Sequence, residues 1–88
     1  MNITLCGDIA LCRNVASMIT ENLSDGIAQN FQKIFDRSDL FIANIECPLT
    51  DSDEPAWKHF ATLKGPRRGG SVLRRLGVDV GSLANNHI

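Results

Sequence analysis

Three short apolar runs, each followed by polar residues, set the pattern of this chain. They occupy residues 2–6, 40–45 and 78–84. Their length and their β-branched residues favour buried strands over helices. The chain between the first two runs has apolar residues at helical spacing, which predicts a crossover between them. A strand, helix, strand order of this kind predicts parallel pairing with a right-handed connection.

The predicted helices lie at residues 15–23, from Ser24 or Asp25 to Phe35, and at 71–76. In the second helix, one apolar stripe is expected to face the core rather than a cofactor: Ile27, Phe31, Ile34 and Phe35. In the third, Ser71 is a candidate N-terminal cap and Gly77 a candidate left-handed C-terminal residue. Residues 47–55 read as a loop, and 57–63 as a strand or an irregular crossing.

The strand, helix, strand order places the chain in the α/β class, with a mainly parallel sheet and flanking helices. It has 88 residues, of which 43% are hydrophobic and 22% charged, typical of a globular domain or part of one. A chain this short buries a core with little margin. If further chain normally covers its sheet, we expect an exposed apolar face through which the chain self-associates.

Charge and cysteine usage exclude several classes of protein. The formal net charge of −1 argues against nucleic-acid binding. Residues 55–78 contain no acid but six basic residues, which form either a rim for an anionic substrate or an ordinary solvated face: Lys58, Lys64, Arg67, Arg68, Arg74 and Arg75. The three cysteines, Cys6, Cys12 and Cys47, match neither a disulfide framework nor a zinc motif, so reduced thiols are expected.

Membrane and targeting signals are not visible in the sequence as written. No run approaches the roughly 18 apolar residues of a membrane span, and the chain opens directly on a short strand. We therefore expect no membrane segment in this chain and a cytoplasmic location.

The polar residues that follow the three strands are the candidate chemistry. Because the carboxyl ends of parallel strands meet at one edge of a sheet, we expect four of them to converge: Asp8, Glu46, Asn86 and His87. Each taken singly is an ordinary turn or loop residue. Together they are hard oxygen donors with one imidazole, which suit Mn, Fe, Zn or Mg at a two-metal hydrolytic site.

Three runs also carry a family resemblance. They are GDIALCR at residues 7–13, DLFIANIECPLT at 39–50, and GVDVGSLANNH at 77–87. In this order, and over nearly the whole chain, they resemble the bacterial capsule synthesis family typified by CapA, the poly-γ-glutamate biosynthesis proteins. That family resembles the calcineurin-like metallophosphoesterases. The resemblance implies that residues 1–88 are a single partial domain, the N-terminal half of a metallophosphoesterase-like αββα sandwich.

The resemblance also implies residue roles. Asp8 would bind one metal, Glu46 would be the second acidic ligand, and Asn86 would bind the other metal. His87 would be a catalytic acid or anion anchor beside the scissile group. Two further candidates would hold the substrate or the surrounding geometry: Arg13 and Asn44. This chain departs from the metallophosphoesterase pattern at Ala10, where a histidine is usual, and it lacks the later histidine motifs.

Two functions from different classes follow. The first is a metal-dependent hydrolase or transferase-type enzyme acting on an anionic small molecule or polymer in capsule or poly-γ-glutamate metabolism, in a family whose members are often membrane-anchored or extracytoplasmic. The second is a non-catalytic fragment or a scaffold module that binds polyanions, because ligands from one side do not close two metal sites. We expect the 88-residue chain alone to be inactive.

Overall fold

Three parallel strands form one sheet that carries helices. The computed structural model describes residues 1–20, 25–35, 38–55 and 62–88. Within these residues, the elements in chain order are β1 (Ile3–Ile9), α1 (Arg13–Thr20), α2 (Asp25–Phe35), β2 (Leu40–Ile45), α3 (Gly69–Leu76) and β3 (Val80–Ser82). The predicted α/β class is confirmed.

The central strand of the sheet is β2. The strand order is β1-β2-β3, and β2 pairs in parallel with both neighbours, as predicted. In the register, Leu5 of β1 and Val80 of β3 both lie beside Ile42. Because side chains alternate along a strand and neighbours in register share a face, this register decides which side chains point toward the helices.

The core lies on one face of the sheet. In β2, Phe41, Ala43 and Ile45 are buried, and Leu40, Ile42 and Asn44 on the other face are half-buried. The buried cluster joins that face of β2 to all three helices through Ile19, Ala28, Val72 and Leu76. The ring centroid of Phe35 on α2 lies 4.9 Å from that of Phe41. The three helices therefore pack on the same side.

Strand β1 is longer than predicted. We expected it to end at Cys6 and Asp8 to follow at its exit, but the strand continues to Ile9. After a register shift between Leu5 and Asp8, pairing with β2 resumes with Asp8 beside Asn44. Because of this irregularity, the strand continues beyond Gly7, where we predicted a break. Asp8 therefore lies within β1 rather than after it.

Strand β3 is shorter than predicted, at three residues. Just before it, Asp79 forms two hydrogen bonds with the backbone of Phe41. The Asp79 N–H donates to the Phe41 carbonyl at 2.9 Å, and Asp79 Oδ2 accepts from the Phe41 N–H at 2.8 Å. A side chain thus completes the pairing of β2 here, and strand pairing begins one residue later.

The apolar stripe of α2 is only partly core. Phe31 and Phe35 are half-buried against the cluster, but Ile34 is 70% exposed and Ile27 is 38% exposed. The buried line instead runs through Ala28, which is small enough to bring the helix close to the sheet. The prediction of a buried Ile34 was therefore wrong, because Ile34 lies outside the face of α2 that packs on the core.

Of the two predictions for the ends of α3, the one for its start is wrong and the one for its end is confirmed. The helix begins at Gly69, so Ser71 is not its cap; the Ser71 hydroxyl donates to the Arg68 carbonyl oxygen at 2.8 Å. Gly77 does end the helix, with φ of 84°, and its N–H donates to the Arg74 carbonyl at 3.1 Å. This left-handed conformation favours glycine because it has no Cβ.

Some predictions fall outside the described residues. They concern the end of the first helix at 21–23, Ser24 as a cap, the turn at 36–37, and most of the segment at 57–63. Among the helices that the structure describes, none has both the length and the apolar character needed to cross a membrane.

The loop after β2 is attached to the start of α3 through Gly65. Its N–H donates to the Pro48 carbonyl at 2.9 Å, and its carbonyl accepts from the Thr50 N–H at 2.9 Å. A Cβ on Gly65 would lie 2.1 Å from the Leu11 carbonyl oxygen. Only glycine fits this close approach of two backbone segments.

Replacing Gly65 by alanine is expected to destabilise the chain by about 1–3 kcal/mol, because the added methyl group displaces backbone rather than a flexible side chain. Gly70→Ala is the matched control, since a Cβ there meets nothing within 4 Å and lies on a helix. It should be neutral or stabilising by up to about 1 kcal/mol. Urea unfolding of both variants measures the difference, and equal effects would contradict the packing described.

Candidate functional site

Two carboxylates meet at the carboxyl edge of the sheet. Asp8 on β1 lies beside Asn44 on β2 in the strand register, and Glu46 follows β2 directly. The side-chain nitrogen of Asn44 donates to Asp8 Oδ1 at 2.8 Å and to Glu46 Oε2 at 2.9 Å. One amide group therefore holds acids from two adjacent strands toward each other.

Asn85 links this pair to the third strand. Its side-chain nitrogen donates to Asn44 Oδ1 at 3.1 Å and to the Ile45 carbonyl at 2.9 Å. Its side-chain oxygen accepts from the His87 N–H at 2.9 Å. A single amide thereby fixes both the orientation of Asn44 and the position of the His87 backbone.

His87 lies against Glu46. The distance from its Nε2 to Glu46 Oε1 is 3.5 Å, and the two side chains are 21% and 18% exposed. A carboxylate this close to an imidazole orients the ring. The imidazole therefore has a defined position beside the edge of the sheet.

The structure brings together four of the six predicted site residues: Asp8, Asn44, Glu46 and His87. Asn86 is exposed in the turn between Asn85 and His87. Arg13 is the first residue of α1 and is exposed, with a left-handed φ of 53°. Such a conformation costs a non-glycine residue about 1–3 kcal/mol. The hydrogen bonds described for Asn44 do not include Arg13.

Sequence reasoning missed Asn85. Both members of the Asn85–Asn86 pair look alike in the sequence, and the family pattern directs attention to Asn86. In the structure the two residues differ in burial: Asn85 is half-buried, whereas Asn86 is exposed. The available signal was position: a short amide directly after the apolar run at 78–84 is well placed to bond the carbonyl groups at the end of the neighbouring strand.

A cavity of about 510 Å³ opens beside His87. The loop that follows Glu46 forms one wall, and Leu63 and Lys64 form another. Lys64 donates to Asp53 Oδ1 and, at 3.1 Å, to the Ser52 carbonyl. The hydrogen bond and the charge of Lys64 hold the pKa of Asp53 below its ordinary value of 3.8. The cavity thus contains a fixed cation, paired with one of its acids.

The cysteines near the site are packing residues. Cys12 and Cys47 are free thiols and are buried. Burial raises the pKa of Cys47, and neighbouring Cys12 adds to the rise. The thiol therefore stays protonated at neutral pH, which disfavours the thiolate form needed to bind a metal.

The donor chemistry of the site fits a hard divalent cation in part. Asp8 and Glu46 offer carboxylate oxygens and Asn86 an amide oxygen, the types that such ions bind. Across residues 1–20, 25–35, 38–55 and 62–88, no three His, Cys, Asp or Glu side chains are grouped closely enough to hold a metal ion.

Comparison with known proteins identifies one family. The family model described as Bacterial capsule synthesis protein PGA_cap matches residues 2–88. A search of curated proteins and a search of solved structures each returned no match.

Replacing Asn85 by alanine should destabilise the chain by about 1–3 kcal/mol, because the Ile45 carbonyl and the Asn44 side-chain oxygen each lose a hydrogen-bond donor. The exposed Asn14 is the control, with Asn14→Ala expected within about 0.5 kcal/mol of wild type. A double-mutant cycle with Asn44→Ala, measured by urea unfolding, should give a coupling of about 0.5–3 kcal/mol. Additive effects would show that the two amides do not act together.

Replacing Lys64 by methionine should raise the pKa of Asp53 toward its ordinary value, because the hydrogen bond and the positive charge are both removed. The stability that this pair contributes is present above that ordinary value and is lost as the pH falls through the lowered pKa. Carboxyl NMR titration measures the change. Arg67→Met is the control, since Arg67 pairs with Asp51 at 3.6 Å, and it should leave Asp53 unaffected.

Proposed function

We propose that this chain, which belongs to the family of the bacterial capsule synthesis protein PGA_cap, carries one wall of a metal-dependent site that hydrolyses or transfers an anionic substrate. Family membership associates the chain with capsule synthesis. The proposed reaction rests chiefly on one observation, the convergence of Asp8 and Glu46 from adjacent strands on the Asn44 amide.

The charge around this amide supports a bound cation. Asp8 and Glu46 are both acids, and Asn44, which lies between them, is neutral. Lys64 pairs with Asp53, and Arg67 pairs with Asp51. Two carboxylates held close together attract a cation.

Asp8, Glu46 and Asn86 are the residues that would hold the cation. When bound, a divalent ion polarises a scissile phosphoryl or acyl group and activates water for attack. Asn44 has a separate part: its amide keeps the two carboxylates oriented toward one point. The remaining ligands of a two-metal site would come from water, substrate or protein outside these strands.

His87 would serve the leaving group. Its Nε2 lies 3.5 Å from Glu46 Oε1, which orients the ring, and its backbone is fixed by Asn85. A proton held there can be donated to a leaving oxygen, or the charged ring can bind an anionic group of the substrate. The adjoining cavity of about 510 Å³ falls within the size range of small-molecule sites and would hold one unit of a polymer.

The polyanion-binding scaffold remains the competing function, and the surface of α3 favours it. Arg67 and Arg68 precede the helix, Arg74 and Arg75 lie in its last turn, and all four are exposed. A scaffold of this type would bind a polyanion such as poly-γ-glutamate through charge alone. Such binding weakens steeply as the salt concentration rises.

Calorimetric titration of the 88-residue chain with Mn²⁺ tests the proposal. Wild type should bind the ion, and Asp8→Asn and Glu46→Gln should each weaken binding by about 10-fold or more, because each removes a charged oxygen ligand. Asp51→Asn is the matched control: this acid is also exposed but pairs with Arg67 away from the site, so it should not change the affinity.

Two outcomes would overturn the metal site. One is a wild-type chain that shows no Mn²⁺ binding; the other is equal weakening by Asp51→Asn and Asp8→Asn. If that chain also bound poly-γ-glutamate, with an affinity that fell with salt and was unchanged by Glu46→Gln, the scaffold function would be supported instead.

A further inference from the structure

Two of the three cysteines lie together just beyond the ends of β1 and β2. Cys12 follows β1 and directly precedes α1, whereas Cys47 comes two residues after β2. They are distant in the sequence, yet both are buried, with 7% and 1% of their surface exposed. The proposed metal site uses neither thiol.

The backbone brings these cysteines to one place from two segments. Gly65 donates its N–H to the Pro48 carbonyl at 2.9 Å, and it approaches Leu11 so closely that a Cβ would lie 2.1 Å from the Leu11 carbonyl oxygen. Leu11 and Pro48 are the chain neighbours of Cys12 and Cys47. One glycine therefore holds both segments beside each other.

The two side chains are in contact. The Cys47 thiol forms a hydrogen bond with the side chain of Cys12 and another with the backbone of Leu11. The start of α1 fixes Cys12, whose carbonyl accepts from the N–H groups of Val15 and Ala16 at 3.1 and 3.3 Å. Two thiols held in this way have the proximity that a disulfide requires.

Cys6 is placed differently. It lies within β1 between Leu5, which is beside Ile42, and Asp8, which is beside Asn44. Cys47 comes three residues after Asn44, which at the rise of a strand is about 10 Å further along. The Cα atoms of a disulfide are about 4.4–6.8 Å apart. The fold therefore pairs Cys47 with Cys12 and not with Cys6.

We propose that Cys12 and Cys47 form a disulfide when the chain folds in an oxidising compartment, and that this bond joins the segment after Asp8 to the segment after Glu46. In a reducing compartment the same pair stays as two buried thiols. The bond involves no metal, so its test is independent of the test of the metal site.

The oxidant is a small-molecule disulfide such as oxidised glutathione. The thiolate of one cysteine attacks this disulfide, which releases one small thiol and leaves a mixed disulfide on the protein. The thiolate of the other cysteine then attacks the protein sulfur of the mixed disulfide and releases the second small thiol. Two protein thiols are oxidised, their protons pass to the two small thiols, and one small disulfide is reduced.

The bond forms during folding rather than in the folded, reduced chain. Burial raises the pKa of the Cys47 thiol, so the folded chain holds little of the thiolate that starts the exchange. In the unfolded chain both thiols are accessible, and after folding the same burial shields the disulfide from reductants. The bond encloses α1, α2 and β2, so it restricts the unfolded chain and stabilises the fold.

Refolding of the wild-type chain from urea in a mixture of oxidised and reduced glutathione tests the proposal. Thiol titration of the refolded chain under denaturing conditions should find one free thiol, that of Cys6, against three after reduction. Mass spectrometry should show a monomer that has lost two hydrogen atoms. The melting temperature of the oxidised form should exceed that of the reduced form by about 10 °C or more.

Alanine variants assign the bond to its two residues. Cys6→Ala is the matched control, because it removes a thiol outside the pair; it should leave no free thiol and keep the difference in melting temperature. Cys12→Ala and Cys47→Ala should each retain two free thiols and lose that difference. If either of these two fails to fold, the wild type and Cys6→Ala still decide the question.

Several results would overturn the proposal. They are a wild-type chain that keeps three thiols, a Cys6→Ala chain that keeps two, and a bond that links two chains instead of closing within one. A bond that still forms in Cys12→Ala or Cys47→Ala would show a different pairing. Equal melting temperatures for the oxidised and reduced wild type would show that the bond does not stabilise this fold.

Discussion

Strand β2 pairs along both of its edges, with β1 on one side and β3 on the other, and all three strands run in the same direction. This arrangement brings the carboxyl ends of three separate segments to one edge. Polar residues near the carboxyl ends of the strands therefore come within hydrogen-bonding distance of one another. The helices, joined to the sheet by crossover connections, gather on one face and bury Phe41, Ala43 and Ile45.

Amides rather than charges organise the polar edge. Asn44 donates to two carboxylates, and Asn85 in turn bonds Asn44 and the His87 backbone. Neutral amides can orient acids without cancelling their charge. Hydrogen bonds therefore fix the geometry of this edge without adding charge to it.

The face of the sheet opposite the described helices has an apolar part and a polar part. The apolar rows that include Leu5 and Ile42 lie toward its middle, and Asp8 and Asn44 follow in the same register at its carboxyl end. A structure that covers the apolar rows would border the polar edge directly.

Much of this protein follows from the sequence itself. The bounds of β2, the helix at residues 25–35, the left-handed Gly77 and the parallel pairing depend on local spacing and backbone preference, which a sequence displays directly. The convergence of Asp8, Glu46 and His87 follows from that pairing.

Only the tertiary structure decided three further points: the continuation of β1 through Asp8, the central place of Asn85 and the exposure of Ile34. Each depends on which groups meet across the sheet or between layers. Register and layer contacts join residues about 40 positions apart, and no local pattern encodes them.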